Sequence, residues 1–206
     1  MKRIDLRNEL KHLYNPSPKE VELVRVPEFR FLMVDGSGDP NSSAEFHNAI
    51  QMLYTLSYTM KFKSKFEKGI DYPVMALEGL WSMADNATFD QNRRTDWRWT
   101  LMILQPGIVT KSLMNKALVE VEQKKKLEAP ASLRLETFKE GLSVQVMHLG
   151  PYAEETLTLR KLDEFVAEHG LEMKDKHHEI YMSDPRRAKP QNMKTILRHP
   201  VKKQTR

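Results

Sequence analysis

The sequence predicts an α+β fold made of two similar halves, each an antiparallel sheet with one long helix on one face. Three observations lead there. The order strand, strand, helix, strand, strand occurs twice along 206 residues; the chain breaks fall at matching points in the two passes; and 40% apolar residues are enough for a real core. The chain reads as one domain over residues 1–206, with a first half at 19–106 and a second at 107–201.

Residues 3–14 are amphipathic, and NPSP at 15–18 interrupts them. VELVRV and FRFLMV read as strands meeting at Pro27-Glu28, after which DGSGDP breaks the chain. Ser42 or Ser43 can N-cap the next helix, where Phe46, Ile50, Leu53, Tyr54 and Leu56 to Tyr58 recur at helical spacing up to about Phe66. PVMALEGLW (73–81) and DWRWTLMILQ (96–105) are strand-like and flank a polar loop rich in Asp, Asn and Arg.

A helix from about Val109 to Lys126, with Leu113, Ala117, Leu118 and Val121 on one side, leads to Pro130, and the order repeats. ASLRLETF (131–138) and LSVQVMHL (142–149) read as strands meeting at Glu140-Gly141. GPY (150–152) is the break, and a helix through Leu157, Leu162, Phe165 and Val166 stops at Gly170. HHEIYMS (177–183) and MKTILRHPV (193–201) are the last strands. One helix per half leaves one sheet face uncovered, and two such faces around a pseudo-twofold form a central ligand cleft.

Composition excludes several function classes. No stretch has the roughly 18–20 apolar residues of a membrane span, and the N-terminus MKRIDLRNELKHLY is charged where a signal peptide is apolar, so the expected location is cytoplasmic with no membrane partner. There is no cysteine, hence no disulfide, thiolate nucleophile or cysteine-built zinc site. The net charge of +5 is local. Residues 185–206 hold eight Lys or Arg and no acidic residue, which leaves 25 basic and 28 acidic side chains, net −3, in residues 1–184. The excess reads as a solvated basic tail, and no direct DNA binding is expected.

Within HHEIYMS, the run Glu179-Ile180-Tyr181-Met182 alternates in period two, so Ile180 and Met182 share one face, taken as the core face, and Glu179 and Tyr181 the other. A carboxylate beside a phenol is ordinary on a wet face and is site equipment in a cleft. All three tryptophans, Trp81, Trp97 and Trp99, fall in the final hairpin of the first half, and Trp97 and Trp99 share a strand face. They read either as core or, on the uncovered sheet face, as walls for a flat ligand. His148, followed by Gly150, Pro151 and Tyr152, sits at a strand-to-helix turn, where a lone histidine more often holds structure. His177 and His178 point to opposite faces and cannot share one ion, so no metal and no cofactor are expected. DGSGDP lacks the GK[ST] ending of a phosphate loop, and no G-x-S-x-G nucleophile elbow exists.

FRFLMVDGSGDP with FHNAIQMLYTLSY, then YPVMALEGLW, DWRWTLMILQP, VMHLGPY, HHEIYMSDPRR and KTILRHPV cover nearly the whole chain in order. They resemble the GyrI-like small-molecule-binding superfamily, in particular its stand-alone branch. The resemblance implies a duplicated, SHS2-like fold of two βαββ-type halves around a cleft, with Glu179 as its central carboxylate. It also implies that the 18 residues before the first strand stand where multidrug-sensing relatives carry a helix-turn-helix domain. Some stand-alone members that this chain resembles hydrolyse cyclopropane-bearing, DNA-alkylating natural products. The residues matching that pattern are Glu179 and Tyr181, as the catalytic pair, and Trp81, Trp97, Trp99, His148 and Tyr152 as ligand contacts.

Three functions follow from this reading. The first is a hydrolase that opens a cyclopropane ring by addition of water to a hydrophobic aromatic xenobiotic, with Glu179 as general base. The second is a non-catalytic module that binds or senses drugs, with Glu179 as counter-ion and the aromatics as stacking and cation–π walls. The third is a topoisomerase-inhibitor-like protein, suggested only by the superfamily's name-giving member.

Overall fold

The computed structural model describes residues 1–85 and 93–204. Residues 86–92 of the expected polar loop and the last two residues of the basic tail lie outside the described residues. In chain order the elements are β1 (Lys2–Arg3), α1 (Leu6–Glu9), α2 (Lys11–Tyr14), β2 (Glu22–Ser37), α3 (Ala44–Lys68), β3 (Ile70–Asp71), β4 (Leu77–Met83), β5 (Trp97–Gln105), α4 (Lys111–Lys125), β6 (Arg134–Leu149), α5 (Thr156–Glu168), β7 (Leu171–Met173), β8 (His177–Tyr181) and β9 (Lys194–Lys203). The molecule is mixed α/β, its sheets mainly antiparallel.

The expected junctions between separate strands at Pro27-Glu28 and Glu140-Gly141 are absent: β2 and β6 are each one continuous strand of 16 residues. The distal halves pair elsewhere rather than folding back on the proximal halves. Arg30 to Ser37 of β2 lie against Gln105 to Arg98 of β5, and Ser143 to Leu149 of β6 against Pro200 to Lys194 of β9. Gly141, within the continuous β6, takes φ 84°, a left-handed conformation open to glycine.

The chain forms two compact units. The first comprises Met1–Glu9, Phe29–Leu77 and Trp81–Phe138. Its long helix α3 starts where Ser43 accepts a hydrogen bond from Phe46 N, the cap that the sequence signals. Ala49, Met52, Leu53, Leu56 and Met60 of α3 are buried, and Ser57 accepts a 3.1 Å hydrogen bond from Gln105 Nε2 of β5. Gln105 shares strand parity with Trp97, Trp99, Leu101 and Ile103, so α3 covers that face of β5.

The second unit comprises Leu10–Glu28, Glu78–Leu80 and Lys139–Arg206. β9 is its central strand, paired with β6, β7 and β8. The helix α5 packs Leu162 and Val166 onto Val144, Val146, Leu197 and Val201. Each such side chain contributes about 1.5–3 kcal/mol by burial. The basic stretch at the C-terminus is therefore not a tail. Lys194 to Lys203 are β9, and Arg198 is buried within it.

Candidate functional site

Two faces of the second unit carry polar groups. Cross-strand partners point to the same side of a sheet. Glu179 lies opposite Leu197, and Leu197 belongs to the cluster under α5. His177, Glu179 and Tyr181 are thus on the helix-covered face, rather than the uncovered one expected from the sequence. Ile180 is fully buried on the other face, whereas Met182 follows the end of β8 and is exposed.

On the helix-covered face, the Tyr181 hydroxyl donates a 2.8 Å hydrogen bond to Glu179 Oε2. His177 Nε2 lies 3.3 Å from Glu179 Oε1, and the Glu179 side chain keeps only 15% of its exposure. The ring of Tyr152, in the 3-10 turn Tyr152–Glu154 before α5, meets the Tyr181 ring edge-on at 5.8 Å. Burial, then the charge of Glu179, pushes the Tyr181 hydroxyl well above its ordinary range, so it remains a donor. His148 is buried at the end of β6, with Nε2 3.2 Å from Pro151 O and Nδ1 2.9 Å from Thr158 Oγ1. Because a carbonyl only accepts, Nε2 carries the hydrogen and the Thr158 hydroxyl completes the ring's bonding. His148 ties the turn to α5.

Glu155, which sequence reasoning did not single out, belongs to this group. It is 4% exposed, and burial, followed by the Glu179 charge, raises its carboxyl to about 9. Its only sequence signal is position: the second of two glutamates at the start of a helix, where carboxylates are common surface residues.

The opposite face holds a buried ionic row. Gln145, Arg198 and His178 stand side by side on β6, β9 and β8. His178 binds Glu140 through Nδ1 and Glu78 through Nε2, both at 3.0 Å; Arg198 reaches Glu140 Oε2, Gln145 Oε1 and Leu13 O; and the Tyr14 hydroxyl donates to Glu78 at 2.6 Å. Burial opposes the charge on His178, but Glu140 and Glu78 outweigh it and raise His178 to about 9. Burial likewise opposes the charge on Glu140, which His178 and Arg198 nevertheless hold at about 2. Glu78 was visible as a lone charge within the apolar run MALEGLW. His177 and His178 serve opposite faces, and among the described residues no cluster of His, Asp or Glu is arranged to hold a metal ion.

In the first unit, Trp81 packs on Trp97 at 5.4 Å and on Phe46 at 5.9 Å, and Trp99 meets Phe46 edge-on at 5.2 Å. Phe46 is in the first turn of α3, so this cluster too lies on the helix side, which is the core alternative of the two that the sequence left open for the tryptophans. Trp99 is 1% exposed and rests on Gly36, where an added Cβ would fall 2.1 Å from its Cη2. Alternation groups side chains by face but does not say which face a helix will cover.

The comparisons with known proteins agree with this architecture. Three solved structures from Listeria innocua superimpose on nearly the whole chain. One, an uncharacterized conserved protein, is 39% identical over 97% of this chain and 100% of its own, with a TM-score of 0.89. Two described as hydrolases are 40% and 38% identical, cover 98% and 97% of this chain and all of their own, and give TM-scores of 0.88 and 0.85. Nothing among curated proteins matches the chain. The GyrI-like small molecule binding domain matches residues 19–202. The chain therefore belongs to the GyrI-like small-molecule-binding family.

Proposed function

We propose that this protein binds flat, aromatic or amphipathic small molecules and hydrolyses those with an electrophilic cyclopropane ring, with Glu179 as general base. The observation that carries this reading is a carboxylate sheltered from solvent, oriented by the Tyr181 hydroxyl and flanked by the Tyr152 and Tyr181 rings. The Listeria relatives described as hydrolases support turnover as well as binding. The recurrence of strand, helix, strand, strand in β2-α3-β4-β5 and β6-α5-β8-β9 supports a duplicated fold.

In a cyclopropane conjugated to a dienone, water attacks the ring methylene, the strained C–C bond breaks, and its electron pair moves to the carbonyl oxygen. Glu179 would take the proton from the attacking water. Tyr181 would fix the Glu179 carboxylate with one oxygen engaged, leaving Oε1 to meet the water. Tyr152 and Tyr181 supply aromatic surface for a flat ring system, and Trp81, Trp97 and Trp99 form a separate aromatic cluster in the first unit.

The test is incubation with a cyclopropyl-dienone at substoichiometric protein, followed by mass spectrometry for addition of one water. Multiple turnovers are expected, with a loss of about 10²- to 10⁴-fold in Glu179→Gln and an unchanged melting temperature. Tight binding without the added water would instead favour a drug-binding module with Glu179 as counter-ion.

A further inference from the structure

We propose that the outward face of the last turns of α3 docks on an anionic lipid bilayer: Tyr58, Phe62 and Phe66 enter the headgroup boundary, and the lysines around them meet lipid phosphates. This surface is independent of the hydrolytic reading and of the Glu179 site.

The polarity of α3 changes along its length. At 3.6 residues per turn, Asn48, Gln51, Thr55, Tyr58, Phe62 and Phe66 share one side of the helix, opposite the buried Leu53, Met60 and Ser64. The first three are polar, as suits a side turned to water. The last three are aromatic: Tyr58 and Phe62 are nearly half exposed, and Phe66 is 78% exposed. Their rings stack in sequence, Tyr58 on Phe62 at 6.4 Å and Phe62 on Phe66 at 6.2 Å, with interplanar angles of 28° and 16°. Single apolar side chains scattered over a surface are ordinary, whereas a contiguous row marks a surface that meets a partner.

Charge selects the partner. Helical spacing puts Lys61 and Lys65 along one edge of the row and Lys63 along the other. Lys61 and Lys65 share Asp71, at 2.8 and 3.2 Å, while Lys63 reaches Glu120 of α4 at 2.7 Å and Lys124 binds the same carboxylate at 2.9 Å. The cations outnumber the acids that hold them. β1 brings Lys2 and Arg3 beside Ile70 and Asp71, and Lys68 is exposed in the last turn of α3. Residues 1–5, 61–71 and 120–126 together hold nine Lys or Arg against five Asp or Glu.

The shape of the row narrows the choice further. Rings standing out from a convex helix form a ridge, which suits a planar boundary that admits them while lysine stems lie along it and their ammonium groups stay among the headgroups. A second copy of the chain fits poorly. At about 200 Å² for a whole ring, the exposed fractions amount to roughly 350 Å², well below the about 800 Å² per partner of a stable dimer, and pairing two lysine-edged rows adds like charges. The sequence led to no membrane partner because no segment can span a bilayer, and among the described residues no helix is long and apolar enough to cross one. A helix lying in the interface needs no span.

Co-sedimentation of the full chain with vesicles tests this. Binding is expected to an equimolar mixture of phosphatidylcholine and phosphatidylglycerol, weakening as salt rises, with little binding to phosphatidylcholine alone. Phe62→Ala combined with Phe66→Ala should weaken it at least about 10-fold at an unchanged melting temperature, since both side chains point away from the core. Lys68→Glu combined with Lys125→Glu should remove the preference for phosphatidylglycerol. Failure to bind the mixed vesicles, or binding that survives loss of both rings, overturns the proposal. So does a concentration-dependent dimer, seen by sedimentation velocity, that the two alanines abolish in the absence of any vesicle binding, because the row then belongs to a second copy.

Discussion

Tyr181 Oη and Glu179 Oε2, two residues apart on β8, are joined by a 2.8 Å hydrogen bond on the face that α5 covers. This bond orients the carboxylate and occupies one of its oxygens. Replacing Tyr181 by Phe removes the donor and keeps the ring against Tyr152. A hydrogen bond to a charged group contributes about 1.5–3 kcal/mol, so kcat for ring opening should fall about 10- to 100-fold. KM should change little, since the aromatic surface remains. Steady-state kinetics on Tyr181→Phe separate the two.

The tryptophans differ in their freedom to meet a ligand. Trp99 is sealed against Gly36 and Phe46, while Trp97 is 9% exposed and has the Arg94 guanidinium 5.7 Å from its ring. A planar aromatic ligand should quench tryptophan fluorescence in wild type, and Trp97→Phe should lose most of that quenching. Trp99→Phe should retain it but lose stability by about 0.5–3 kcal/mol, measured by denaturant unfolding. Quenching that survives both substitutions would point to Trp81.

Stability should fall as pH rises from about 6.5 to 9. His178 is raised to about 9 in the folded state, so its contribution is complete below the ordinary histidine value of 6.5 and is lost on passing through 9. Glu155, also raised to about 9, acts in the same direction, because over this range the folded protein holds a proton that the unfolded chain has released. Glu140, held at about 2, contributes above 4.5 and loses its effect only as pH falls through 2. Each proton held only by the folded state gives a slope of up to about 1.4 kcal/mol per pH unit. Urea unfolding at pH 6.5 and 9 should show the decline, and Glu155→Gln should make it shallower.

The C-terminal strand sets a limit on truncation. Lys202 and Lys203 pair with Glu172 and Leu171 of β7, and Lys202 forms an ion pair with Glu172. Deleting residues 202–206 should lower the melting temperature by several degrees, whereas deleting 204–206 should leave β7 paired and small-molecule activity intact. Because Arg198 is buried against Glu140 and Gln145, the basic stretch offers nucleic acid less charge than its composition suggests. Anisotropy titrations at physiological salt should show only weak, strongly salt-dependent DNA binding.

Much of this protein is local and was legible in the sequence. Period-two alternation put Glu179 and Tyr181 on one side of β8, and Ser43 marked the start of α3, because strand parity and helix capping depend on residues a few positions apart. The apolar spacing of Leu162 and Val166 identified the buried side of α5 for the same reason. Other features were settled by contacts between residues distant in sequence. A Glu-Gly pair suits a hairpin turn, yet β6 runs straight through it because its distal half finds a partner in β9, some 50 residues later. The side of each sheet that its helix covers was likewise decided by packing, which is why the expected face of Glu179 had to be corrected and why alternation alone left the tryptophans open between core and ligand wall. Arg198 read as part of a basic tail and Glu155 as a surface residue at a helix start. Burial gives both their character: Arg198 is neutralised by Glu140, Glu155 is denied a donor, and desolvation depends on what surrounds a group in space rather than on its neighbours along the chain.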